Sequence, residues 1–152
     1  MLRDVRTLDR KIADLNGRIE AEVEASGTAL TQIFGVGPIL AATIIGAVGS
    51  VARFPSKGHF ASYSGTAPVE ASSGEVMRHR LSLAGNRKLN YALHMVAVCQ
   101  ARSDARGGAY YRKKVAEGKS RKEALRCLKR RVSDAVYKSL VADSQAPLRS
   151  VA

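Results

Sequence analysis

Val5, Leu8, Ile12, Leu15 and Ile19 recur at alternating spacings of three and four, with charges at most positions between them. The pattern predicts an amphipathic helix over residues 1–25 with a coiled-coil-like seam. At about two and a half heptads the seam is short for an independent coiled coil, so it should pack on a neighbour. That neighbour is either the domain's own core or another molecule. From Ser26 to Ala52 no residue is charged, a length that raises the question of a membrane span. Gly35-Val36-Gly37-Pro38 interrupts it, and Ile39 to Val48 has the length of a buried core helix, so no span is expected.

The same interruption has the form of a helix-hairpin-helix. Ala29, Leu30, Ile33 and Phe34 approach it, and a second helix follows with Pro38 in its first turn. Two glycines let backbone N–H groups approach a phosphate without a Cβ in the way, and the helix N-terminus adds partial positive charge. A plain helix–helix turn that needs glycine for its geometry has the same signature.

Farther along, Ser56 is an N-cap for a short helix to about Tyr63, ended by Ser64-Gly65. Pro68, the turn Ser72-Ser73-Gly74 and the weak alternation through Leu83 suggest a short β-hairpin or irregular loop around residues 66–83. Gly85-Asn86 introduces a helix to about Arg102 with Leu89, Ala92, Leu93, Val96 and Ala97 on one face. Ser103 to Gly108 reads as a linker to a basic segment around Tyr110–Val115, which Gly118 closes. Ser120-Arg121-Lys122-Glu123 is a capping box for a last helix to about Val141. A mainly α fold follows: a linker helix over 1–25, a domain over 26–143 and a frayed tail over 144–152.

Length fits this reading, since 152 residues can bury one core. The composition is 45% hydrophobic and 25% charged, with 25 Lys and Arg against 13 Asp and Glu. The net charge of +12 calls for an anionic partner, with nucleic acid ahead of an acidic membrane surface or an acidic protein. Residues 78–131 hold 16 Lys and Arg but 3 Asp and Glu, so they carry all of the surplus. A block this basic with helical apolar periodicity reads as a folded surface that contacts phosphates. Cys99 and Cys127 lack metal-ligand spacing, which argues against a zinc module or disulfide scaffold and for a reducing cytoplasm. Charges near the N-terminus leave no apolar signal sequence.

Groups for self-contained catalysis are sparse. His59, His79 and His94 are scattered, and the acids form no cluster suited to Mg²⁺. The remaining nucleophile candidate is serine, at Ser72-Ser73-Gly74, with Arg78, His79 and Arg80 close behind. Cations there would neutralise charge developing on an attacked phosphodiester. By its residues alone such a turn is usually only a turn.

Five ordered motifs change that weight: Ile33-Phe34-Gly35-Val36-Gly37-Pro38, Arg53-Phe54-Pro55-Ser56, Tyr63-Ser64-Gly65-Thr66-Ala67-Pro68, Ser72-Ser73-Gly74 and Gly85-Asn86-Arg87-Lys88-Leu89. Together, over about residues 29–140, they resemble the C-terminal domain of the DEDD insertion-sequence transposases related to Piv invertases, the bridge-RNA-guided recombinases. The resemblance implies that Ser73, with Ser72 as fallback, is a nucleophile that becomes linked to DNA. It further implies an N-terminal RuvC-like domain whose acidic tetrad binds Mg²⁺, a guide RNA, and a homo-oligomer in the complete enzyme. Leu83 and Asn90 depart from the family, where basic residues are common.

On this reading Gly35, Gly37, Arg78, Arg80, Asn86, Arg87, Lys88, Arg112, Lys113, Lys129 and Arg130 are candidate nucleic-acid contacts. No metal ligand is assigned to this chain, and no cofactor is expected without the acidic domain. Alone, the chain should not cleave DNA. The competing reading is a non-catalytic nucleic-acid-binding module using the hairpin and a basic helical face, and a basic protein-interaction domain stands behind it.

Overall fold

A computed structural model describes residues 1–68 and 85–146, and these are mainly helical. Six α-helices run in chain order: α1 (Leu2–Ala25), α2 (Pro38–Val48), α3 (Lys57–Tyr63), α4 (Arg87–Ala101), α5 (Arg106–Ala116) and α6 (Arg121–Gln145). Short 3₁₀ turns at Leu30–Gln32 and Val51–Arg53 flank α2. The expected β-hairpin or loop lies largely outside the described residues, which contain no strand.

Local signals place most of these boundaries. Ser56 caps α3 by accepting from the His59 N–H, and Asn86 caps α4 by accepting from the Leu89 N–H. At α6 the capping box is complete: Ser120 Oγ accepts from the Glu123 N–H, and a Glu123 carboxylate oxygen accepts from the Ser120 N–H at 2.8 Å. Each cap satisfies amides that the first turn of a helix leaves without partners.

Helix α6 is the spine of the core. Ala124, Leu128, Val132 and Val136 recur every fourth residue and are buried, so they lie on one face. That face meets Leu89, Leu93 and Val96 of α4 and Phe60 of α3, while Ile44 and Val48 of α2 close the cluster from the other side of α4. Phe60 is fully buried, with its ring 5.3 Å from Phe54 at right angles and 5.5 Å from Tyr137.

Four expectations need adjustment. The arm before the glycine turn is one 3₁₀ turn rather than a helix, because only Leu30 there is fully buried. The helix α1 packs on the core only through Ile19 and Val23, while Val5, Leu8, Ile12 and Leu15 remain at least half exposed. Its own-core reading therefore holds for the last turns alone. The predicted linker Ser103–Gly108 ends early, since Arg106, Gly107 and Gly108 already belong to α5. Finally, α6 continues past Val141 to Gln145, held there by Leu140 in the core and by Asp143, which accepts from Thr28 Oγ1 at 2.6 Å and the Ala29 N–H at 3.0 Å.

Gly107 and Gly108 look like helix breakers but act as contact surface. A Cβ on Gly108 would overlap the Ser103 carbonyl oxygen, which is backbone and cannot swing aside. Gly108→Ala is accordingly expected to lower unfolding free energy by about 3 kcal/mol, read by urea denaturation. A loss under about 1 kcal/mol would show that the α4–α5 corner is looser than this packing requires.

Candidate nucleic-acid interface

Helices α2 and α4 leave an open groove of about 650 Å³ between Ala42, Thr43, Gly46 and Ala47 on one side and Asn86, Arg87 and Lys88 on the other. Small residues on α2 keep the wall low. Arg87 and Lys88 are exposed at the start of α4, where helix polarity adds to their charge.

Asn86 sets the direction of that helix start. Its side chain caps Leu89 and donates to the Tyr63 hydroxyl at 3.1 Å, while its own N–H donates to the Tyr63 carbonyl at 2.9 Å. Tyr63 in turn donates to the Ala47 carbonyl at 3.3 Å. The Asn86 hydrogen bond, helped by nearby Arg53, holds the Tyr63 phenol below its ordinary pKa. One tyrosine thereby ties the ends of α2 and α3 to the beginning of α4. Asn86, expected to contact nucleic acid, has both side-chain polar atoms committed to this network and orients Arg87 and Lys88. The sequence marks Tyr63 as a helix end and as part of a motif, but does not show that its hydroxyl links α2 to the start of α4.

The two glycines of the hairpin separate in role. Gly35 has φ +90°, and a Cβ there would lie 3.3 Å from the Val96 carbonyl oxygen and 3.4 Å from Cys99 Cβ. Conformation and close packing on α4 both account for it. Gly37 is exposed, has nothing within 4 Å of a built Cβ, and precedes an α2 that no side chain caps. Only Gly37 offers an open backbone approach. Gly35 rests near Cys99, about 17–20 Å along α4 from Asn86, whereas Gly37 lies five residues, about 7.5 Å along α2, from Ala42 on the groove wall. Gly35 therefore stands apart from the groove and Gly37 adjoins its α2 side.

The remaining candidates diverge. Arg112 is exposed but donates to the Ser103 carbonyl and lies 3.7 Å from Asp104. Lys113 is exposed and makes no ion pair among the described residues. Arg130 lies 3.1 Å from Asp134. Lys129 turns inward: its Nζ donates to Asn90 Oδ1 at 2.8 Å, and Asn90 Nδ2 donates to the Ser64 carbonyl at 2.7 Å. Ser72, Ser73, Arg78 and Arg80 lie outside the described residues. Among the described residues no group of three or more His, Cys, Asp or Glu could hold a metal ion, and no helix is long and apolar enough to cross a membrane.

Burial pushes the Lys129 ammonium below the ordinary lysine pKa of 10.5. Between the lowered value and the ordinary one the unfolded chain binds more protons, so Lys129 makes stability rise with pH in that window. Below it, the desolvation cost is present in full. Urea titrations from about pH 8 to about pH 10.5 should show this rise in the parent and lose it in Lys129→Met. Parallel curves for the two proteins would contradict the inward, desolvated placement.

Comparison with known proteins supplies the family. Residues 27–112 match the model described as Transposase IS116/IS110/IS902 family. An insertion element IS110 protein of Streptomyces coelicolor is 35% identical over 123 residues, covering 78% of this chain and 30% of that protein. An IS116 protein of Streptomyces clavuligerus is 29% identical, covering 88% of the chain and 34% of the relative. An IS900 protein of Mycobacterium paratuberculosis is 30% identical, covering 86% and 34%. The chain therefore spans about a third of the length of these relatives. Since the family match takes in more than half of its residues, the chain belongs to the IS116/IS110/IS902 transposase family.

Proposed function

We propose that the chain is the DNA-binding, serine-bearing C-terminal domain of an insertion-sequence transposase related to the Piv invertases. The observation that carries the proposal is the α2–α4 groove, whose exposed Arg87 and Lys88 are oriented by Asn86 and Tyr63. The family match spans both this groove and Ser73. Ser73 is the nucleophile: its oxygen forms an ester bond to a DNA phosphorus, and a deoxyribose oxygen of the same phosphodiester leaves and takes up a proton. The reverse attack, by a sugar hydroxyl of another strand, rejoins DNA and frees the serine. Arg78, Arg80, Arg87 and Lys88 hold the attacked strand, and Gly37 offers backbone N–H contact to a neighbouring phosphate.

In the complete enzyme Mg²⁺ would be held by the acidic tetrad of a RuvC-like domain, outside this chain. A guide RNA and a homo-oligomer complete the proposed assembly. Target choice then lies in base pairing rather than in this chain's backbone contacts.

The test is to stall the complete recombinase on its DNA with guide RNA and Mg²⁺, digest it, and map the peptide that retains a nucleotide. A phosphoester on Ser73 is expected. A nucleotide on Ser72 would move the assignment by one residue, and no protein-linked DNA under conditions of active recombination would remove the covalent mechanism.

A further inference from the structure

We propose that the tip of the α5–α6 hairpin is a second docking surface, which takes the backbone of duplex DNA separately from the α2–α4 groove. This rests on DNA being the chain's partner.

The tip is built rigidly. The helix α5 ends with the Gly118 N–H donating to the Val115 carbonyl and the Lys119 N–H to the Lys114 carbonyl, a closed C-terminal motif that needs the positive φ of +94° at Gly118. The capping box of Ser120 and Glu123 starts α6 immediately afterwards. Both ends of the turn are thus fixed, and little ordering cost remains when ligand binds.

On this frame Lys113, Lys119, Arg121, Lys122 and Arg126 are all exposed. Two acids are interspersed with them: Glu117 holds Lys114 at 2.7 Å, and Glu123 accepts from the Ser120 N–H while its charge also acts on Lys119 and Arg126, so the cations outnumber the acids without being unopposed. Among the described residues none of the five exposed cations makes an ion pair. Lys122 and Arg126 are one turn apart on α6 and share an edge.

The kind of nucleic acid follows from what the tip lacks. Single strands are gripped by aromatic rings that stack on bases. The hairpin's three aromatics, Tyr110, Tyr111 and Tyr137, pack against the core, and Arg131 covers the Tyr110 ring at 4.4 Å. A cationic tip without a stacking platform suits the continuous backbone of a duplex. It is also distinct from the groove. Lys129 contacts Asn90 near the start of α4, and Arg121 is eight residues before Lys129, about 12 Å along α6. Phosphates held by Lys119, Arg121 and Lys122 are therefore not those held by Arg87 and Lys88, while Arg126 lies on the side of the tip toward the groove.

The experiment compares three forms of the full chain: the parent, Lys119→Ala/Arg121→Ala/Lys122→Ala/Arg126→Ala, and Arg87→Ala/Lys88→Ala. Circular dichroism checks their helicity, and fluorescence anisotropy over a salt series measures binding to an unrelated duplex of about 30 base pairs, long enough for several phosphate contacts. The tip variant should bind at least tenfold more weakly at low salt, and its plot of log K against log salt should be shallower by about 3 to 4. If it loses helicity, Lys119→Gln/Lys122→Gln carries the same expectation with a change of about 2. A parent that binds while the tip variants match it in affinity and slope overturns the tip alone. Equal losses for duplex and for a single-stranded oligonucleotide overturn the duplex assignment. A parent without duplex affinity overturns the DNA reading and this surface with it.

Discussion

Ser73→Ala, introduced into the complete recombinase, is expected to cut recombination by roughly 10⁴-fold or more and to abolish protein-linked DNA. The loss is large because alanine leaves no oxygen to form the phosphoester, and positioning by cations cannot replace a missing bond. Affinity for DNA should change less than about twofold, since the hydroxyl contributes no phosphate neutralisation. That split separates a nucleophile from a residue with a structural role alone. Such a residue would alter binding and chemistry together, and retained recombination in Ser73→Ala would leave the chain as the non-catalytic binding module. Arg87→Ala/Lys88→Ala should show the complementary pattern, with weaker binding and a shallower salt dependence.

Phe60→Ala carries the largest expected loss of stability. The ring is fully buried and meets Phe54 edge-on, with Tyr137 on another side. Its removal should cost about 3 to 5 kcal/mol, against a typical total of about 5 to 15 kcal/mol for a domain. At about 2 to 4 °C per kcal/mol the melting temperature should fall by roughly 10 °C. Denaturation in urea gives the free energy directly. A cost under about 1 kcal/mol would mean that α3 is not seated against α6 as described.

How much of this was visible in the sequence depended on whether a signal was local. The capping box at Ser120 and Glu123 and the Ser56 cap each satisfy amides within a few residues, so their pattern and structure coincide, whereas Asn86 was expected as a nucleic-acid contact and instead caps α4. The buried face of α4 was likewise carried by periodicity. Gly107 and Gly108 were misleading because glycine signals both a break and a close approach. Only the position of the Ser103 carbonyl decides between them. The same holds for charge. Nothing in the order of residues distinguishes Lys129, drawn in toward Asn90, from Arg126, which faces solvent on the same helix. For the site, the cations at the start of α4 were legible as a motif, whereas the Tyr63 network that orients them joins residues far apart in the chain. Ser73 was reached through resemblance, and its surroundings lie outside the described residues.

The contact of Thr28 and Ala29 with Asp143 bears on how the domain folds. Its partners are 115 and 114 residues apart, and closing a loop of that length from a free chain costs about 4 kcal/mol in entropy. Each hydrogen bond of this kind returns about 1.5 to 3 kcal/mol when one partner is charged, so the two to Asp143 do little more than offset that cost. Their net gain comes once packing of α2, α4 and α6 has shortened the effective loop, which makes this seam a product of the assembled core and not its origin.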